Sequence, residues 1–321
     1  MVLVAISPAV PAATDSARAP GQNLTVDQPY TVSGTETWEN VFVKTDGTLS
    51  VPSGTTLNVK SVFLQGGSLL VRGGTISVSQ TILGLDAVVS GDCKQFNVSA
   101  NGMITVSAPA GGTSIDLSRG GEAIVSVNAS ESVVVTGNGK IVCTGGNGYG
   151  RTTAWTTTAL GGHVSAGGQG LISLGGPATP YVEISGGAQL VTTGRNGGRA
   201  ADGRDGSGAD GGVGGGYSNG GMVSEFVGSG GDGRVEVNGL NALVSDAVIN
   251  CIGGRGGDAG NGGSGSTTGS GSSNYPNMYF CGGGGGGGYG GGNGGSDWQS
   301  SGKGGSVSGN VGAGGTASFS L

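Results

Sequence analysis

One serine has the spacing of a hydrolase nucleophile. Gly216-Tyr-Ser218-Asn-Gly220 matches the G-x-S-x-G turn, in which a strand delivers the serine and a histidine takes its proton. Here the motif follows a run of glycines instead of a strand, and the only histidine in the chain is His163. In a chain with 77 glycines, composition alone explains this spacing. We therefore predict no catalytic serine.

Phosphate and metal motifs are also incomplete. The stretch SSGKGG around Lys303 lacks the upstream glycine and the hydroxyl residue after lysine that a phosphate loop needs. Residues 253–261 begin like a calcium-binding nonapeptide repeat, but Gly260 replaces the large apolar residue and no second copy follows. One histidine and four cysteines without C-x-x-C spacing do not make a zinc set. The sequence predicts no metal and no cofactor.

Carboxylates are the remaining chemical groups, because solenoid enzymes that cleave polysaccharides need clustered acids with basic partners. Six acids stand at predicted corners of the chain: Asp46, Asp86, Asp92, Asp116, Glu122 and Glu131. Their wide spacing in sequence is typical of solvated turn residues. We expect a protein that is not an enzyme, and a polysaccharide-binding or polysaccharide-degrading β-helix is the third-ranked alternative.

Cysteines and glycosylation sequons indicate an extracellular protein. The three sequons are Asn23-Leu-Thr, Asn97-Val-Ser and Asn128-Ala-Ser. The four cysteines are Cys93, Cys143, Cys251 and Cys281, which allow three intramolecular pairings or links between copies. We favour a Cys251–Cys281 disulfide, because it would close the base of the longest glycine-rich segment.

Charge and hydropathy exclude two classes of partner. The chain has 14 basic residues and a net charge of −6, so it lacks the clustered cations that bind nucleic acid. The chain contains no run of 18 apolar residues, so the sequence predicts no membrane span. Residues 1–34 form a separate N-terminal segment that begins MVLVAI, and it fits a secretory signal and a short apolar strand equally well. If the segment is retained, it could donate this strand to a neighbouring copy.

A repeat of about twenty residues predicts the fold of residues 35–140. The segments 41–59 and 62–78 align almost without gaps, and each holds three short apolar–polar–apolar pieces separated by glycine or polar corners. The pattern continues more loosely through 82–98, 103–117 and 123–135. Such a repeat is typical of one coil of a β-solenoid, and its rhythm resembles the right-handed parallel β-helix family. We predict that these residues face partly inward: Val41, Val43, Leu49, Val51, Leu57, Val59, Phe63, Leu69, Val71, Ile76 and Val78.

Residues 141–321 repeat as well, and we predict a continuing solenoid that carries three glycine-rich arms. Segments 139–148, 188–197 and 247–256 align as a strand that ends in a glycine turn. Segments 166–174, 229–237 and 313–321 align as a glycine turn that returns into a strand. Between them lie the predicted arms, residues 149–165, 198–228 and 257–312.

The glycines of the arms keep a period of three, which a flexible linker does not need. In GGRGGDAGNGGSGST the glycines keep to two of three registers, interrupted only at Ala259 and Ser266, and the third register is polar. A polyproline-II-type helix has three residues per turn, so its two glycine edges can touch neighbouring backbones. We expect polyglycine-II-like arms, similar to the bundles of glycine-rich antifreeze proteins and bacteriophage tail-tip adhesins. A flexible linker is the alternative.

Glycine content, sequons, cysteines and repeat together resemble the tubular sheath and fibre proteins of archaeal cell envelopes, especially those of filamentous methanogens. The resemblance implies an extracellular structural subunit whose partner is another copy of itself. The sequence shows no capping helix, which favours strand addition between copies. The alternative is an adhesin whose arm tips bind a surface glycan or a protein through Trp155, Tyr217, Tyr279 and Trp298.

Overall fold

The computed structural model describes residues 21–112, 119–150, 166–198, 228–257 and 314–321 of the 321-residue chain. These residues form twenty strands and contain no helix. The strands stack in three columns, and each turn of the chain contributes one strand to each column. The prediction of an all-β, parallel, solenoid-like fold is confirmed.

All pairings between the strands of a column are parallel. The first column contains β1 (Leu24–Val26), β4 (Asn40–Lys44), β7 (Ser61–Gln65), the first parts of β10 (Ala87–Ser99) and β12 (Ala123–Val135), β14 (Gly170–Leu174), β17 (Gly233–Val237) and β20 (Ala317–Ser320). The second column contains β2 (Pro29–Thr31), β5 (Thr48–Pro52), β8 (Ser68–Arg72), the second parts of β10 and β12, β15 (Tyr181–Ile184) and β18 (Ala242–Val244). The third column contains β3 (Thr35–Thr37), β6 (Thr56–Val59), β9 (Thr75–Ser79), β11 (Met103–Ser107), β13 (Lys140–Thr144), β16 (Ala188–Thr193) and β19 (Ala247–Ile252).

Alternating side chains build one continuous apolar core inside the coils. In the third column Leu57, Ile76 and Ile104 lie in register and are fully buried, and Ile141 and Leu190 continue the row. A single coil has no interior that excludes water, so this core exists only because the coils stack. Stability therefore comes mainly from contacts between successive coils.

The predicted inward residues are buried, with the exception of Phe63. Val62 and Leu64 point inward instead, because Val62 is in register with Val41. Phe63 lies on the outer face, where its ring stacks on Phe42 with 5.3 Å between the ring centroids. Residues 62–64 are all apolar, so the sequence shows no alternation there that would separate inward from outward positions.

The aligned segments of residues 141–321 stack as the sequence predicted. Ile141, Leu190 and Ile249 are register partners in the third column, and Leu171, Arg234 and Ser318 are partners in the first. At the other end the first coil begins at Leu24, inside the segment 1–34 that the sequence set apart.

A polar cluster lies at the N-terminal end of the core. Glu36 is in register with the buried Leu57 and therefore lies at an inward position. Its Oε2 accepts hydrogen bonds from Tyr30 Oη at 2.6 Å and Trp38 Nε1 at 3.0 Å, and its Oε1 accepts one from Ser33 N at 3.0 Å. The carboxylate thus gathers polar groups over the first coil.

The C-terminal end of the described core is apolar. Strand β20 extends the first column one strand beyond β18 and β19, which end the other two columns. No strand of the described residues pairs with the outer edge of β18, β19 or β20. Phe319, which lies in register with Val235, is 45% exposed, and Leu321 is 69% exposed.

Candidate functional site: the glycine-rich corner

The connections between the third column and the next strand of the first column all leave from one corner of the solenoid. We call this the glycine corner. Its first two connections are short, at residues 38–39 and residue 60, and the later ones lengthen steadily along the chain: residues 80–86, 108–122, 145–169, 194–232 and 253–316. The sequence predicts arms in only the last three of these connections. The connection at 108–122 is not among them, because the repeat pattern assigns residues 103–117 to a coil.

Hydrogen bonds join the outgoing and returning segments of the glycine corner into one continuous chain. Each bond runs from a backbone N–H to the carbonyl of the segment before it, so outgoing and returning segments alternate. The donor–acceptor pairs are Gly121–Pro109 at 3.0 Å, Gly146–Gly121 at 2.8 Å, Gly168–Gly146 at 2.7 Å, Arg195–Gly168 at 3.0 Å, Gly231–Arg195 at 2.8 Å, Gly254–Gly231 at 2.8 Å and Gly315–Gly254 at 2.7 Å.

A second set of bonds has a period of three residues. Gly145 and Gly148 donate to Thr193 and Asn196 of the next outgoing segment. The same pattern joins residues 194 and 197 to residues 252 and 255, and residues 167 and 170 to residues 229 and 232. A strand would return to the same neighbour every second residue, whereas a polyproline-II-type helix does so every third. The described roots of the connections therefore have threefold, not twofold, backbone geometry.

Glycine is required at these contacts because the backbones touch. A Cβ atom at Gly168 would lie 1.9 Å from the carbonyl oxygen of Gly121, and one at Gly146 would lie 1.7 Å from that of Pro109. Real Cβ atoms do not approach this closely, so any larger residue would separate the segments.

Side chains on the returning segments add a polar ladder beside the glycines. Arg119 donates to Glu122 Oε1 at 2.8 Å and to both oxygens of Asp86 at 3.3 Å. Asp86 also accepts from Glu122 N at 2.8 Å, and Gln169 Nε2 donates to Glu122 Oε2 at 2.9 Å. Further along, Asp232 accepts from Thr316 N at 2.6 Å. The prediction that the corner acids are all scattered is wrong for Asp86 and Glu122, which stacking brings together although they are far apart in sequence.

These two carboxylates stabilise the glycine corner. Arg119 bridges them, and their remaining bonds go to backbone and amide donors, so they serve as acceptors in a structural network. The other predicted acids have separate partners: Asp46 lies 3.9 Å from Lys94, Asp92 accepts from Asn128, and Glu131 accepts from Gln95. Asp116 lies outside the described residues.

The described cysteines are free thiols: Cys93, Cys143 and Cys251. Cys143 and Cys251 are both register partners of Thr192, so they stand two strands apart, about 9–10 Å, which is too far for a disulfide. Burial and then the charge of Asp92 raise the pKa of Cys93 to about 12, and burial raises the pKa of Cys143. No disulfide occurs among the described residues. The favoured Cys251–Cys281 pair stays a prediction, since Cys281 lies outside them.

The three sequon asparagines lie at outward positions of the coils. Asn23 and Asn128 are exposed, and Asn97 is half-buried between its strand neighbours. Asn23 Oδ1 accepts from the backbone and the side chain of Asn40 at 3.1 and 3.0 Å. Glycosylation of these residues stays a prediction.

Several sequence motifs lie outside the described residues. These are Ser218, His163 and Lys303 of the incomplete catalytic and phosphate motifs, and Trp155, Tyr217, Tyr279 and Trp298 of the predicted arm tips. Within the described part of the chain, no group of three or more histidine, cysteine or acidic side chains is arranged to hold a metal ion. The same residues include no helix long and apolar enough to cross a membrane.

Comparison with protein-family models, curated proteins and solved structures gave no match to this chain.

Proposed function

We propose that the chain is a structural subunit of an extracellular assembly, such as a sheath, a cell-wall layer or a filament, built by stacking solenoids end to end. The observation that carries this proposal is the C-terminal end of the described core. It presents the edges of β18, β19 and β20, with which no described strand pairs, together with the exposed side chains of Phe319 and Leu321. Unpaired parallel edges favour strand addition from another chain.

At the opposite end of the described core, β1, β2 and β3 begin the three columns, and no described strand pairs with their outer edges. The first column is one strand longer than the other two at the C-terminal end, so simple stacking leaves a step. The apolar segment MVLVAI of a neighbouring copy is our candidate for a strand that fills this step. Its alternation is weak, but its apolar character matches the exposed side chains it would cover.

We further propose that residues 149–165, 198–228 and 257–312 continue outward from the glycine corner as a polyglycine-II-like bundle. The threefold hydrogen bonding at their described roots supports this, together with the three-residue period of the arm sequences. Hydrogen exchange of the assembled protein tests it. Amides across 203–221 and 253–266 are expected to exchange slowly, and complete exchange within seconds would show that they are linkers.

Association is tested by analytical ultracentrifugation and electron microscopy of the purified chain. The wild type is expected to form concentration-dependent oligomers or filaments, and the double variant Phe319→Asp/Leu321→Asp is expected to stay monomeric. Leu83→Asp is the matched control, because Leu83 is also exposed but lies on the glycine corner, away from the end. A wild type that remains monomeric at high concentration contradicts the assembly proposal.

The extracellular location rests on the sequons and on the exposure of Asn23 and Asn128. Mass spectrometry of protein purified from its native source is expected to find glycans on these two residues. Unmodified asparagine at both positions, with the protein recovered from the cell interior, would contradict this location.

A second candidate function is that of an adhesin, and one observation favours it. The connections all leave from one corner and lengthen along the chain, which would display the longest arms at one end of the molecule. A surface glycan or protein would then meet the aromatic residues predicted at the arm tips. Loss of cell binding on deletion of residues 258–313, with monomeric wild-type protein, would place this function first.

A further inference from the structure

A polar groove crosses the first three coils at the start of the same corner, where the connections at residues 38–39, 60 and 80–86 are short and hold only one glycine. It has a volume of about 420 Å³ and lies along the edge of the third column. Its polar lining includes Thr37, Glu39, Asn58, Lys60, Ser77 and Ser79. This volume is at the lower end of the range for small-molecule sites, which is about 300–1,000 Å³.

Three of the lining side chains form a row of unused hydrogen-bonding groups. Thr37, Asn58 and Ser77 are register partners on consecutive strands, so they repeat about every 4.8 Å along the solenoid axis. Their side chains make no hydrogen bond with any described residue, although each carries both a donor and an acceptor. Each member of the row can therefore donate a hydrogen bond to a ligand and accept one from it.

A neutralised ion pair forms one wall of the groove. Lys60 Nζ lies 2.7 Å from Glu39 Oε1, and each side chain is about one-third exposed, at 31% and 33%. Both groups can still bond to a ligand, because the ammonium has three donors and the carboxylate has further lone pairs. Because the two charges cancel, the lining has no net charge with which to select an anion or a cation.

We propose that this groove binds a neutral saccharide, with one or two sugar rings lying along the solenoid axis. Neighbouring hydroxyls of a sugar both donate and accept hydrogen bonds, as do Asn58, Thr37 and Ser77. A charged sugar, phosphate or nucleotide would find no unpaired opposite charge. This inference does not depend on the proposed structural function.

The saccharide has two potential sources with the same chemistry. One is an external polysaccharide. The other is a glycan attached to Asn23, which stands two residues from Gly21, itself part of the groove lining. The experiment therefore compares protein with and without the Asn23 glycan.

Isothermal titration calorimetry of the full chain, produced without glycosylation, tests the proposal. The ligands are neutral hexasaccharides of β-1,4-linked glucose and of mannose, with hexagalacturonate as the charged comparison. At least one neutral hexasaccharide is expected to bind, and Asn58→Ala is expected to weaken its binding at least tenfold. Asn250→Ala is the matched control, because Asn250 occupies the same outward row on β19, far from the groove, and should bind like the wild type.

A second variant tests whether weaker binding results from misfolding and not from the loss of a contact. Glu39→Gln/Lys60→Met removes both charges from the wall, and it should also weaken binding while the far-ultraviolet circular dichroism spectrum is unchanged. If glycosylated protein binds only after Asn23→Gln, the natural occupant is the chain's own glycan; if it binds regardless, the occupant is external. The proposal is overturned if neither neutral hexasaccharide binds at millimolar concentration, if Asn58→Ala binds like the wild type, or if hexagalacturonate binds equally well.

Discussion

At the scale of single residues, the glycine corner is stabilised by close backbone packing, which is possible only because glycine has no side chain. The carbonyl oxygen of Gly121 occupies the space where a Cβ of Gly168 would be, and the N–H of Gly168 donates to the carbonyl of Gly146 on the preceding segment. Similar close approaches recur on the later segments, at Gly194, Gly231 and Gly254. Glycine is therefore a packing residue here, in contrast to its usual role as a source of flexibility.

Gly168→Ala is expected to destabilise the protein by about 3 kcal/mol, because the new methyl group can only be accommodated by separating backbone segments. Gly314→Ala at the same corner is the control. Its Cβ would lie 3.6 Å from the nearest atom, so a change within about 0.5 kcal/mol is expected. Urea unfolding of both variants measures the difference. Equal stabilities would show that the corner is not packed in solution.

The buried thiol of Cys93 makes stability depend on alkaline pH. Its pKa rises from 9.0 to about 12 on folding, so the unfolded chain loses this proton first as pH increases. The stabilising contribution is complete below pH 9 and is lost between pH 9 and about 12. At pH 10 the loss is about 1.4 kcal/mol, since one pKa unit corresponds to about that energy.

Comparing wild type with Cys93→Ala isolates this effect from the other thiols. The free energy of unfolding should fall between pH 8 and pH 10 by about 1.4 kcal/mol more in the wild type than in the variant. Urea titrations at the two pH values give this difference. An identical pH dependence in both proteins would mean that Cys93 ionises normally in the folded state.

At the scale of strands, alternation in the sequence was enough to predict most inward residues and the register of distant segments. The alignment of segments 139–148, 188–197 and 247–256 is confirmed, because their strands, each followed by a glycine turn, lie in the same column. The prediction of inward residues failed at Phe63, where three apolar neighbours give no alternation. The sequence pattern also missed the Asp86–Arg119–Glu122 cluster, because the contact depends on how many residues each connection inserts between coils.

Strand β10 supplies a direct test of inward against outward positions. Phe96 is fully buried and ranks among the largest such side chains of the described core, whereas Phe63 on β7 stacks on the outer face. Phe96→Ala is expected to cost about 3–5 kcal/mol through lost burial and a cavity, and Phe63→Ala only about 1 kcal/mol through the lost ring contact. Chemical unfolding compares the two. A larger loss for Phe63→Ala would contradict the assigned register.

At the scale of the whole molecule, each coil contacts mainly the coils before and after it, and the glycine corner repeats this arrangement outside the core. The sequence revealed the period of about twenty in the first coils because their connections are short. Later coils hide it, since their connections grow to residues 253–316 while the strands keep their lengths. The hydrogen bonding between those connections was not predictable from the pattern of core residues, because the core residues do not change with connection length.

Because the core residues do not depend on the length of the connections, we expect the solenoid to tolerate loss of a whole arm. The ends of the arm at 199–227 are adjacent, since a Cβ at Gly197 would lie 1.9 Å from the carbonyl oxygen of Gly228. A four-residue Gly-Gly-Ser-Gly bridge should therefore close the gap with little entropic cost. The shortened protein is expected to keep its β-type circular dichroism spectrum, a cooperative thermal transition and slow exchange at the N–H groups of Gly146 and Gly168, which bond to segments outside the deletion. Loss of the cooperative transition would instead show that the arms are part of the folding core. Association measured on the same variant then separates the two functions, because end-to-end stacking should survive the deletion and binding through arm tips should not.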